Sequence, residues 1–214
     1  MNENIETLSG NPNLQLPEFS DPPESPLQLL RDWVQTAMEQ EVREPWAVTL
    51  ATADVEGRPS TRTVMIKDID DSGLVFASTA GSRKGQELEV NPWASVTFFW
   101  RERLQQVTAA GAVEIMSAEE SDAQFDPRPR AARASAAVSW QSRPLDDEAA
   151  LRQQAQALIE SAEPIKRPAE WLAYRIVPQR MEFWYGSPDR LHRRLQYLRP
   201  DGETASWATS RLQP

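Results

Sequence analysis

Between residues 46 and 116 the chain breaks repeatedly into short apolar-rich runs separated by turn residues, and this rhythm limits the possible folds more than any other feature. The runs are 46–53 (WAVTLATA), 60–69 (STRTVMIKDI), 74–78 (LVFAS), 94–101 (ASVTFFWR) and 104–116 (LQQVTAAGAVEIM). VEGRP (55–59) and DDSG (70–73) separate the first three. Runs of this length joined by such turns read as antiparallel hairpins. The pattern returns at 171–177, 180–185, 191–199 and 205–211, with Asp201-Gly202 as a tight turn before the last run. Helical spacing fills the gaps. Ser25-Pro26 reads as an N-cap followed by proline at the first helical position. Leu27, Leu30, Val34, Ala37 and Met38 then continue a helix to about residue 43. A second helix covers 82–90 and stops at Asn91-Pro92, and Ser117 with Glu120 has capping-box spacing. Further helical sequence covers 128–138 and 146–161. The expected fold is α+β and mainly antiparallel β: a barrel with peripheral helices, in one domain over 25–214. Residues 1–24, polar and rich in proline, are expected to form a flexible arm.

Composition removes several classes of function. The net charge is −9, which argues against a nucleic-acid partner bound through a basic surface. With no cysteine and a single histidine, thiolate nucleophiles, disulfides and Cys- or His-rich metal sites are excluded. No apolar run reaches membrane-spanning length, so no membrane association and a cytoplasmic location are expected. Lysine is scarce, with Lys67, Lys84 and Lys166 against twenty arginines.

Three charged stretches stand out against this acidic background. EFWYGSPDRLHRRLQYLR (182–199) gathers the only histidine and four arginines. If residues 190–198 are extended, Arg190, His192 and Arg194 share one face, while Leu191, Arg193, Leu195 and Tyr197 share the other. The first face is either an anion site or an exposed edge charged against aggregation. In RTVMIK (62–67), strand parity puts Arg62 and Lys67 on opposite faces, so both reach one ligand only around a bend, at a strand end or along an extended ligand. STAGSRK (78–84) leads small residues into a helix start that favours an anion, with Arg83 and Lys84 in the same turn. Neither a Walker A nor a GxGxxG pattern is present.

In order along the chain, RTVMIK, GSRK (81–84), QQV (105–107), RPR (128–130), WQS (140–142), EFWYGSPDRLHRR (182–194) and RLQP (211–214) resemble the pyridoxamine 5′-phosphate oxidase family. The resemblance covers about residues 28–214. It implies an FMN-binding split β-barrel homodimer with FMN at the subunit interface. Cofactor contacts then fall on Arg62, Thr63, Val64, Met65, Ile66 and Lys67 of the first motif. Ala77, Ser78, Arg83, Lys84, Gln106, Gln141, Ser142, Trp184 and Arg194 complete them, some from the partner chain. Substrate contacts fall on Lys67, Arg128, Arg190 and His192, and the catalytic residues are expected to be His192 and Arg190.

One departure bears on substrate. The family's oxidases of pyridoxamine phosphate hold the substrate phosphate with a tyrosine, an arginine and a serine, where this chain has Gln124, Arg128 and Ala132. Missing donors weaken a site built for phosphate. The chain therefore looks more like the family's phenazine-biosynthesis branch. That branch implies FMN-dependent oxidation of reduced, carboxylated tricyclic precursors, with hydride passing to FMN and O2 reduced to H2O2. Pyridoxamine phosphate oxidation and flavin binding without catalysis are the alternatives.

Overall fold

The computed structural model describes residues 10–11, 13–199 and 206–214. These residues form eight strands and five α-helices: α1 (Pro26–Glu39), β1 (Ala47–Ala53), β2 (Pro59–Ile69), β3 (Leu74–Thr79), α2 (Arg83–Val90), β4 (Trp93–Trp100) and β5 (Gln105–Ile115), then α3 (Ala118–Phe125), α4 (Arg130–Val138), α5 (Glu148–Glu160), β6 (Trp171–Tyr185), β7 (Arg193–Leu198) and β8 (Ala208–Leu212). All strand pairs are antiparallel. The sheet order is β3-β2-β1-β4-β5-β6-β7-β8, and pairing of β3 with β6 closes the first six strands into a barrel. The expected α+β barrel with peripheral helices is what the chain forms. Among the described residues no helix is long and apolar enough to cross a membrane.

The barrel closes because β6 is long enough to serve two neighbours in succession. Its first half pairs with β3, through Trp171↔Thr79 to Ile176↔Leu74, while its second half pairs with β7, through Arg180↔Leu198 to Tyr185↔Arg193. Pro178 and Gln179 interrupted the sequence pattern, which therefore suggested two strands here. The structure instead pairs Pro178 with Gly111 and leaves Gln179 as the extra residue of a bulge in β6, opposite the step from Ala110 to Gly111 of β5, so the missing proline N–H does not end the strand. Glycine is required opposite this bulge, since a Cβ on Gly111 would lie 1.9 Å from the Val177 carbonyl oxygen.

Helix α1 buries Leu27, Leu30, Trp33, Val34 and Ala37 in the main core. Ser25 caps it by accepting from the Gln28 N–H, and it ends at Glu39, short of residue 43. Trp33 packs edge-on against Phe183 at 5.2 Å between centroids. A smaller core of Phe125, Ala134, Ile165 and Trp171 joins the helical insertion to the barrel.

The flexible arm expected over 1–24 falls partly outside the described residues, but its described portion is packed. Leu16 and Phe19 are buried, Tyr197 donates its hydroxyl to the Pro23 carbonyl, and the Arg193 guanidinium stacks on Phe19 while donating to the Leu16 carbonyl. The polar composition of the segment hid these two apolar anchors. The Asp201-Gly202 turn lies outside the described residues.

Candidate active site

Strand β2, the end of β3 and the start of α2 enclose a cleft of about 510 Å³. Of the residues assigned to cofactor by resemblance, Arg62, Thr63, Val64, Met65, Lys67, Ala77, Ser78, Arg83, Lys84, Gln141 and Ser142 line it, and so does Arg128. Ile66 does not: its side chain is buried in the main core. Arg62 and Lys67 thus border one cavity despite their opposite parity, because the cleft runs along the strand. Beyond Lys67 the parity itself resets, since Ile66 pairs with Phe76 but Asp68 pairs with Val75.

One end of the cleft is built around cations. Ser82 caps α2 by accepting from the Gly85 N–H, which sets Arg83 and Lys84 in the first turn. The Lys84 ammonium is buried and donates to the Ser78 hydroxyl at 3.0 Å, the Ser82 hydroxyl at 3.3 Å and the Gln141 side-chain carbonyl at 3.0 Å. All three acceptors are neutral. Burial and the Arg62 charge lower its pKa to about 8, with Glu87 pulling the other way.

Glu87, one turn along α2, was not among the residues suggested by the sequence. It accepts from Thr52 at 2.5 Å, from Ser60 at 2.6 Å, from Arg62 Nη2 at 3.2 Å and from Arg83 Nε at 2.9 Å. Burial acts to raise its pKa, yet these donors outweigh it and hold the carboxyl at about 2. The only advance signal was its i, i+4 spacing from Arg83. Glu87 fixes both guanidiniums. With Lys84 close by, the cluster has three cations and one carboxylate, which leaves a surplus of positive charge suited to a phosphate dianion.

The other groups line the wall. Arg128 stacks over Trp171 at 5.0 Å and Phe125 at 5.5 Å, and its Nη1 is buried with no hydrogen-bond partner within the described chain. Desolvation lowers its pKa. Gln124 and Ala132 stand four residues to either side, both half-buried, and neither lines the cleft. Ser142 has a φ of +74° and accepts from the Arg83 N–H, which brings the 139–147 connection onto the cation cluster.

Gln106, Trp184, Arg194, Arg190 and His192 do not line this cleft. Register places Gln106, Trp184 and Arg194 side by side across β5, β6 and β7. The expected three-charge ladder does not form. Strand β7 begins at Arg193, and Arg190 sits in the preceding turn with a φ of +65°. Leu191, expected to face the core, is 66% exposed. Arg194 is neutralised by Glu182, at 2.7 and 3.0 Å, and also donates to the Gln213 carbonyl. His192 lies against the Trp184 ring, with centroids 5.0 Å apart.

Known proteins resemble this chain over nearly its whole length. The family described as pyridoxamine 5′-phosphate oxidase matches residues 34–161, and the pyridoxine 5′-phosphate oxidase C-terminal dimerisation region matches 171–214. A dihydrophenazinedicarboxylate synthase of Pseudomonas chlororaphis is 41% identical over 98% of this chain and 93% of its own length. A pyridoxine/pyridoxamine 5′-phosphate oxidase of Paraburkholderia phytofirmans is also 41% identical, over 97% of each. The crystal structure of PhzG from Burkholderia lata 383, in complex with tetrahydrophenazine-1-carboxylic acid, has a TM-score of 0.92 and 40% identity, covering 96% of this chain and all of that one.

Proposed function

The chain belongs to the pyridoxamine 5′-phosphate oxidase family, and from that premise we propose that it is an FMN-dependent oxidase of phenazine biosynthesis. The proposed substrates are reduced, carboxylated tricyclic phenazine precursors, with O2 as the final acceptor and H2O2 as product. The observation that carries this reading is Arg128: a guanidinium on the wall of the cleft whose buried Nη1 has no hydrogen-bond partner among the described residues, with Gln124 and Ala132, not hydroxyl-bearing residues of the phosphate-binding pattern, four positions to either side in the sequence.

The residues present fit FMN. Lys84 is a buried ammonium held only by neutral oxygens, and together with Arg62 and Arg83 it suits the cofactor's phosphate. Thr63 to Met65, Ala77, Gln141 and Ser142 supply the wall beside it. When bound, FMN would accept a hydride from the substrate and pass the electrons to O2. The protein's own part is to hold and orient. Lys67 and Arg128, both lining the cleft, offer cations to substrate carboxylates, and packing on two aromatic rings holds the Arg128 guanidinium in place. In the proposed homodimer, the Gln106–Trp184–Arg194 row of one copy, with His192 and Arg190, completes the cleft of the other. The match to the family's dimerisation region over 171–214 supports this.

A second reading, oxidation of pyridoxamine 5′-phosphate, is favoured by the equal identity to named members of both kinds. Anaerobic flavin-reduction rates separate the two. Reduction by a reduced phenazine carboxylate is expected to be faster than by pyridoxamine 5′-phosphate. Restoring the hydroxyls with Gln124→Tyr plus Ala132→Ser is expected to raise kcat/KM for the phosphate substrate by about tenfold or more. A wild-type enzyme that prefers pyridoxamine 5′-phosphate would overturn the phenazine assignment. A protein that binds no flavin would overturn the whole reading.

A further inference from the structure

The turn from Gly186 to His192 is organised by its own hydrogen bonds. The Ser187 hydroxyl donates to Asp189 Oδ1 at 2.6 Å, and the Leu191 N–H donates to the same oxygen at 2.9 Å. These two donors hold the Asp189 carboxylate below its usual pKa. The Asx turn that results carries Arg190 at its positive φ and returns the chain to the start of β7. Within this turn the Ser187 backbone N–H donates to His192 Nδ1, at 3.1 Å.

That contact has a chemical consequence. A backbone N–H can only donate, so Nδ1 must present its lone pair, and the proton of a neutral imidazole must then sit on Nε2. Trp184 packs on one side of the ring at an interplanar angle of 47°, which limits rotation about the side chain. Nε2 makes no hydrogen bond to any described residue of the chain.

We propose that the Ser187 N–H is a positioning group that locks His192 as its Nε2–H tautomer, so that His192 serves the reaction as a hydrogen-bond donor to the substrate and not as a proton acceptor. This deepens the oxidase reading and rests on it for the identity of the acceptor, a carboxylate oxygen of the substrate. The neutral ring has no lone pair left for a substrate proton, since one nitrogen is engaged by Ser187 and the other carries hydrogen. Asp189 acts at one remove, by holding the turn in which the Ser187 N–H meets the ring.

His192 is the only histidine, so histidine-labelled holoenzyme gives a single imidazole spin system. Long-range proton–nitrogen correlation spectra are expected to show one fixed tautomer, with Nδ1 unprotonated and Nε2 protonated. Uniform labelling should add a nitrogen–nitrogen coupling across the hydrogen bond from Ser187. A protonated Nδ1, or shifts averaged as in a free histidine peptide, would overturn the proposal. This arm needs no substrate, so it is read independently of the proposed oxidase activity.

The second arm uses flavin reduction by a reduced phenazine carboxylate. His192→Ala is expected to lower kcat/KM by about 10- to 100-fold. His192→Gln, which supplies an amide N–H near the position of Nε2, is expected to recover most of that loss. Equal loss in the two variants would overturn the donor role.

Discussion

Replacing Lys84 with methionine is expected to weaken FMN binding by about 100-fold, the largest single effect on the cofactor. The estimate comes from the surroundings of the ammonium. It is buried, its three acceptors are the neutral oxygens of Ser78, Ser82 and Gln141, and its charge is answered only at a distance by Glu87. Burying a cation in this way is unfavourable without an anion, so the site is arranged to gain when one arrives. The pH dependence follows from the same setting. In the free protein the Lys84 pKa is lowered to about 8, and a bound phosphate would raise it. Binding therefore takes up a proton above pH 8, and affinity should fall there by up to tenfold per pH unit. Below about pH 6 the phosphate itself gains a proton and affinity falls again. Flavin fluorescence titrations from pH 5 to 10 should show a plateau between these limits. Lys84→Met should lose the alkaline limb, and an unchanged limb in that variant would assign it to another group. Ligand-free stability runs the other way. Between the folded value and the unfolded value of 10.5 the unfolded chain binds more protons, so this group's contribution rises with pH across that window.

Much of the barrel was legible because hairpin rhythm is a local signal. Runs at 60–69 and 74–78, with DDSG between them, became β2 and β3 within a residue or so. The capping box at Ser117 and Glu120 formed as read. The failures came where tertiary pairing overrode local punctuation. Pro178 looked like a strand end, but a bulge against Gly111 carried β6 through it. Arg190 looked like a strand residue by parity, yet Ser187 and Asp189 fold the segment into a turn, and no alternation rule could see that. Leu16 and Phe19 were lost inside a polar composition because burial there depends on surfaces presented by α1 and β7. Eleven residues that line the cleft were named as cofactor contacts by the resemblance. Glu87 was not, because its role appears only when Thr52 and Ser60 of two different strands arrive at the same carboxylate.

Glu87→Gln is expected to be the most damaging change to the ligand-free fold, by about 3–5 kcal/mol. The carboxylate is the shared acceptor for Thr52, Ser60, Arg62 and Arg83, and an amide of the same size must turn a donor toward at least one of them. Burial disfavours the ionised carboxyl, but the donors win and bring it from 4.5 to about 2, worth roughly 3 kcal/mol by linkage. A depressed carboxylate contributes fully above its unfolded pKa and loses that contribution as pH falls through the folded value. The gap in stability between wild type and Glu87→Gln should therefore be constant from pH 7 to about 4.5, then narrow toward pH 2. FMN should narrow it too, because a bound phosphate supplies Arg62 and Arg83 with the negative charge the variant lacks. Lys84→Met should behave in the opposite way, stable without FMN and little stabilised by it. Thermal melts of both variants with and without FMN test the pair together. If FMN left the Glu87→Gln deficit untouched, the cations that Glu87 organises would not be the phosphate site.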